Sequence, residues 1–134
     1  MALVNALKFE INFEKSPEYV YIQTDGEASV RGFDELLTAI VESPNWITGS
    51  KQLVDHRKLK PEKLASEDVE SIGDIVKKHA NKLGNGRCAF VVSDTLGFGL
   101  IRMYECLGGE DIHQESAVFY TIDEAVEWLK DKSR

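Results

Sequence analysis

Between Leu7 and Glu14 every second residue is apolar: Leu7, Phe9, Ile11 and Phe13 alternate with Lys8, Glu10, Asn12 and Glu14. A period of two marks a strand with one face on a core, so the chain is expected to open with a strand. After KSPE, the β-branched and aromatic run YVYIQT ends at Asp25-Gly26, which reads as an antiparallel partner and completes an opening hairpin.

From about Arg31 the rhythm lengthens. Phe33, Leu36, Leu37, Ile40 and Val41 share one helical face, Asp34, Glu35, Thr38 and Glu42 the other, and Pro44 marks the stop. KQLVDHR (51–57) reads as a short strand. SEDVESIGDIVKKHANKLG (66–84) reads as a second helix capped by Ser66, with Glu67 and Asp68 in its first turn. Val69, Ile72, Val76 and Leu83 form its buried stripe, His79 falls on the same side, and Gly84 ends it. RCAFVVSD (87–94) is apolar without alternation, as expected of a strand covered on both faces of a parallel sheet.

The stretch SDTLGFGLIRMYECLGGE (93–110) predicts a third helix. Leu96, Leu100, Met103, Tyr104 and Leu107 form its core face, while Phe98, Arg102 and Glu105 point outward. HQESAVFYT predicts a last strand, and TIDEAVEWLK a fourth helix in which Thr121 and Glu124 have the spacing of a capping box. The whole predicts an α/β domain: an N-terminal hairpin, then repeated β-α units in a mostly parallel sheet of four or five strands with four helices.

Composition narrows the role. A chain of 134 residues, 43% hydrophobic and 29% charged, is expected to be one soluble domain spanning 1–134. Its longest apolar run, near CAFVV, is far short of the ~20 residues of a membrane-spanning helix, and MALVNALKFEINFEKS lacks the layout of a signal peptide. A cytoplasmic location is the expectation. The formal charge of −7 argues against nucleic acid as a partner. Cys88 and Cys106 form no disulfide framework and no CxxC motif, so both read as reduced.

Candidate chemistry is sparse. Gly97 and Gly99 form a GxG after a strand, but Arg102 stands where a dinucleotide fingerprint needs its third glycine, so helix packing is the better reading. No G-x-S-x-G turn supplies a nucleophile for Asp55, His56 and Arg57, and no histidine pair has metal spacing, so no catalytic residue, cofactor or metal is expected. In parallel sheets ligands bind beyond the carboxyl ends of the strands. Asp55 to Arg57 and Ser93 to Thr95 both emerge there, which makes Asp55, Arg57, Ser93, Asp94 and Thr95 candidates for a shared pocket. Alternatively Ser93 or Asp94 caps the third helix and Asp55 is tied to loop amides. Phe98, with Arg102 at i+4 and Glu105 beyond, is the candidate protein interface. Trp46 and Trp128 read as covers of the core's rim.

The pattern LVDHRKL, then a long helix, then GRCAFVVSDTLGFGLIRMYECL, a short strand and DEAVEWL resembles the small bacterial SpoIIAA-like proteins. These are similar to the STAS domains of anti-sigma factor antagonists and share features with the CRAL-TRIO lipid-transfer fold. The resemblance implies a non-enzymatic domain that works by binding, often as a homodimer. In the antagonists a serine at the start of the helix after the VD strand is phosphorylated. Ser66 lies nearest that place here, without the family's Asp-Ser-Ser-Gly pattern and beside acidic Glu67 and Asp68. Two functions follow as expectations: a regulatory or protein-interaction module, or a binder of a small apolar or lipid-like ligand, with Arg57, Ser93 or Thr95 fixing a polar head.

Overall fold

The opening alternation forms β1 (Lys8–Asn12), antiparallel to β2 (Val20–Glu27) with Ile11 opposite Ile22. The computed structural model describes residues 7–97, 99, 101–102 and 115–131. Helix α1 (Val30–Glu42) is followed by β3 (Gln52–Lys60), α2 (Ser66–Leu83) and β4 (Cys88–Val91). Helical residues at 95–97, 99, 101 and 102 belong to a third helix, α3. Strand β5 (Ser116–Phe119) and helix α4 (Ile122–Lys130) complete the described chain.

The five strands lie in chain order, β1-β2-β3-β4-β5, and every pairing after the hairpin is parallel. That order dictates the layers. Right-handed crossovers that always step the same way along a sheet place their helices on one face. Accordingly α1 and α2 pack together over Ile22, Val54 and Cys88, and Ile101 of α3 joins the same side. The other face is left to α4, whose Ala125 and Leu129 bury against Leu53, Ala89 and Val91. Strand β4 therefore has apolar neighbours above and below, which is why its sequence does not alternate.

Several local readings need correction. Strand β3 runs on to Lys60, three residues past Arg57, because its tail pairs with Asp25–Glu27 of β2. Ser66 is not the cap of α2. It is exposed at the first helical position, after Ala65, and the end is closed by Asp68, whose Oδ2 accepts from the Ala65 N–H at 2.9 Å. Leu96 is not core: it is 49% exposed. Asp94 Oδ1 accepts from the Gly97 N–H at 2.9 Å at the start of α3 and seats Gly97 against Val92, so Ile101 turns inward and Leu96 outward. The expected core residues Leu100, Met103, Tyr104 and Leu107, together with Cys106 and His113, lie outside the described residues.

Candidate functional site: a cavity beside a slipped register

Strands β2 and β3 run in step to Gln23 and Asp55, then resume at Asp25 and Lys58. One residue of β2, Thr24, is thus opposed by two of β3, His56 and Arg57, a bulge that bends the strand and re-aims side chains. Asp55, His56 and Arg57 sit at this bulge.

His56 faces α1 and α2. It is 6% exposed, with Nδ1 2.6 Å from Thr24 Oγ1, and the same hydroxyl donates to the Asp55 carbonyl at 3.3 Å. Phe90 stacks on the imidazole at 5.7 Å between ring centres, and Phe33 meets it edge-on at 5.9 Å. Burial pushes its pKa down to about 4, opposed in part by the charge of Asp55, so the ring is neutral at neutral pH.

Asp55 faces the opposite way. Its carboxylate accepts from Arg57 Nε at 2.9 Å, Arg57 Nη2 at 2.8 Å, the Arg57 backbone N–H at 3.1 Å and the Tyr21 hydroxyl at 2.7 Å. Burial pulls its pKa up, yet these donors outweigh burial and hold it below the usual carboxylate range. Tyr21 moves up to about 12, through burial first and then the Asp55 bond. The Asp55 side chain is 2% exposed, that of Arg57 45%. The group is an internally satisfied clasp, held by one backbone amide, a guanidinium and a phenol rather than by loop amides.

Ser93, Asp94 and Thr95 are exposed at the end of β4. Ser93 and Asp94 border a recess of about 10 Å3 with His56, Leu59 and Ile101. Asp55 is thereby separated from Ser93 and Asp94, with which it was expected to share a pocket, because strand alternation puts Asp55 on the other side of the sheet from His56. Of the interface candidates, Arg102 is exposed, while Phe98 and Glu105 lie outside the described residues.

The larger feature is a cavity of about 90 Å3 between the sheet and helices α1 and α2. Ile22, Val54 and Phe90 form its floor, and Leu36, Ile40 and Ile72 its cover. Two polar side chains break this apolar lining. Gln52 is 3% exposed and His56 6%, and neither the Gln52 amide nor His56 Nε2 has a hydrogen-bonding partner among the described residues. Buried polar groups are nearly always paired, so two open ones on the wall of one cavity make it the candidate site. Neither residue was a sequence candidate for ligand contact. The signal was present in KQLVDHR, where a period of two puts Gln52, Val54 and His56 on one face.

The cover is fastened at its outer edge. His79 Nε2 lies 3.5 Å from Thr38 Oγ1 and 3.6 Å from Asp34 Oδ1, and Lys78 Nζ donates to Asp34 at 3.1 Å. The bond from Lys78 holds the Asp34 carboxyl below its ordinary pKa. His79 thus finds partners in side chains of α1. Trp46 covers the rim as expected, its Nε1 donating to the Lys82 carbonyl at 2.8 Å, and Trp128 packs against Phe119 under the Arg87 guanidinium. Among the described residues no cluster of three His, Cys, Asp or Glu side chains has the arrangement of a metal site, and no helix is long and apolar enough to cross a membrane.

No family model matches the chain, and no curated protein matches it. A solved structure does. The crystal structure of an uncharacterized protein from the DUF3478 family with a SpoIIAA-like fold, from Shewanella loihica, superposes with a TM-score of 0.63 at 14% identity. The match covers 96% of this chain and 98% of that one, and it shows the fold.

Proposed function

We propose that this SpoIIAA-like domain works by binding, and that it encloses a small, mostly apolar ligand between the β2–β4 floor and helices α1 and α2. The observation that carries the reading is the cavity itself: apolar walls with the open polar atoms of Gln52 and His56 on them. A binding role is further supported by the state of the titratable groups. Asp55 has its carboxylate engaged by Arg57 and Tyr21, and His56 is buried with Thr24 as its partner.

Size sets the ligand class. A cavity of about 150 Å3 lined by aliphatic and aromatic groups stays dry and takes benzene. At about 90 Å3 this one suits a shorter chain of a few carbons, and anything longer requires α1 and α2 to part at the Asp34, Thr38 and His79 contacts. The test is a series of 1-alkanols from propanol to decanol, followed by methyl NMR at Val54 and Val76 and by melting temperature. Saturable shifts, a rise in melting temperature and a chain-length cutoff are expected, because a ligand of the native state stabilises it. Absence of saturable shifts across the series at millimolar concentrations overturns the reading.

A second reading, a homodimer or a regulatory protein partner docked on α3, has the exposure of Leu96 and Arg102 in its favour. Its test is Arg102→Glu, with oligomeric state measured by light scattering. An unchanged dimer, or a monomer in both forms, removes this support.

A further inference from the structure

Gln52 and His56 stand on the same face of β3 with Val54 between them, and all three line the cavity. Their Cα atoms are about 13 Å apart along the strand, so the two side chains reach the cavity from opposite ends of its floor. Gln52 offers an amide with both donor and acceptor, and His56 offers one ring nitrogen. Thr24 engages only Nδ1. The Thr24 hydroxyl gives its proton to the Asp55 carbonyl, so the neutral imidazole donates from Nδ1 and Nε2 is left as an acceptor with one bond to make. Among the described residues, no Lys or Arg side chain lines the cavity, and no Asp or Glu either.

From this placement we infer that the ligand is an uncharged molecule with a hydrogen-bonding group at each end, an α,ω-diol or a hydroxy-amide in chemical class, laid along β3 from Gln52 to His56. A hydroxyl donates to Nε2 at one end, and at the other it can donate to or accept from the Gln52 amide. A carboxylate finds no cation among the described lining residues and would be buried there without a partner charge, a costly state. The apolar middle of the molecule lies over Val54 under Ile40 and Ile72.

This inference rests on the proposed ligand cavity, and the test separates the two. Three compounds of equal length are titrated by methyl NMR: 1-butanol, 1,4-butanediol and 4-hydroxybutanoate at pH 7. A site that reads apolar area alone prefers the alkanol strongly, since the second hydroxyl loses its water for nothing. Here the diol is expected to bind at least as tightly as the alkanol, and the hydroxy acid at least tenfold more weakly than the diol.

Gln52→Leu supplies the internal control. Replacing an unpaired buried amide by an apolar group of similar shape is compatible with folding. The variant is expected to weaken the diol by about tenfold, one hydrogen bond's worth, while leaving the alkanol within about threefold. If the alkanol binds but outcompetes the diol, or if Gln52→Leu leaves the diol unaffected, the two-ended ligand is wrong and the cavity reading stands. If none of the three binds, both fall.

Discussion

Thr24 Oγ1 and His56 Nδ1 meet at 2.6 Å, a side-chain bond between neighbouring strands at the point where their register slips. The bond fixes the imidazole with one nitrogen toward the strand and the other toward the cavity. Strand alternation lets Asp55 and His56, consecutive in the chain, serve opposite faces of the sheet beside this bulge.

Stability is expected to fall with acid because of His56. Its pKa is about 4 in the fold against 6.5 for an ordinary histidine, so between those values the unfolded chain binds a proton that the folded one does not. Stability therefore rises with pH through this window and is fully present above 6.5. The difference corresponds to at most about 3 kcal/mol, lost progressively as pH falls from 6.5 to 4. Urea unfolding of the wild type and His56→Leu at pH 7.5 and 4.5 checks it. The variant should show a flatter dependence across the window.

The Asp55 clasp predicts a second, lower transition. Asp55 is held below its ordinary pKa, so its contribution is present above the unfolded carboxylate value near 3.8 and is lost as pH falls further. Tyr21→Phe removes a donor to a charged acceptor and is expected to cost about 1.5 to 3 kcal/mol at pH 7. Carboxyl NMR titration of Tyr21→Phe should show the Asp55 pKa moving upward. An unmoved pKa contradicts the assigned bond.

Two glycines should respond in opposite directions. Gly84 has φ of +81° and a Cβ there would stand 2.4 Å from the Gly49 backbone nitrogen, so Gly84→Ala is expected to cost about 2 kcal/mol or more. Gly73, inside α2, has open space around the site of a Cβ. Gly73→Ala is expected to stabilise by about 0.5 to 1 kcal/mol through helix propensity. Denaturant midpoints of the two variants decide both signs.

Filling the cavity should trade binding for stability. Val76 lines it, and Val76→Leu adds a methylene toward empty space, worth roughly 0.8 kcal/mol if the group is accommodated. The variant is expected to melt higher and to lose the alkanol-dependent NMR shifts. Retained shifts would place the ligand elsewhere.

Much of the architecture was legible because burial imposes simple periods. The two-residue beat from Ile11 to Phe13, though not Phe9, which is 37% exposed, the helical stripe of Leu36 and Ile40, and the unbroken run at Cys88 to Val91 each reflect how many faces a packed neighbour covers. The tail of β3 was less legible, since Lys58, Leu59 and Lys60 sit where the strand outruns its β4 neighbour and pairs with β2. Leu96 misled because apolar character says nothing about which way a helix's first turn faces until its cap is known. The candidate site was half visible. Charge drew attention to Asp55 and Arg57, which satisfy each other, while the residues with open polar atoms, Gln52 and His56, carry no charge at neutral pH and announce themselves only through their surroundings.

The sheet's strand order equals its chain order, and this bears on how the molecule is made. No strand has to be threaded between two that have already paired; each new β-α unit adds to the growing edge left by the one before, as a chain leaving a ribosome would present them. The element that reaches back is α4, which returns across β5 to seat on β4 and β3. Until its nine residues arrive, Leu53, Ala89 and Val91 face water as a bare apolar surface. The arrival of α4 is therefore the step that makes the nascent domain safe from sticking to its neighbours.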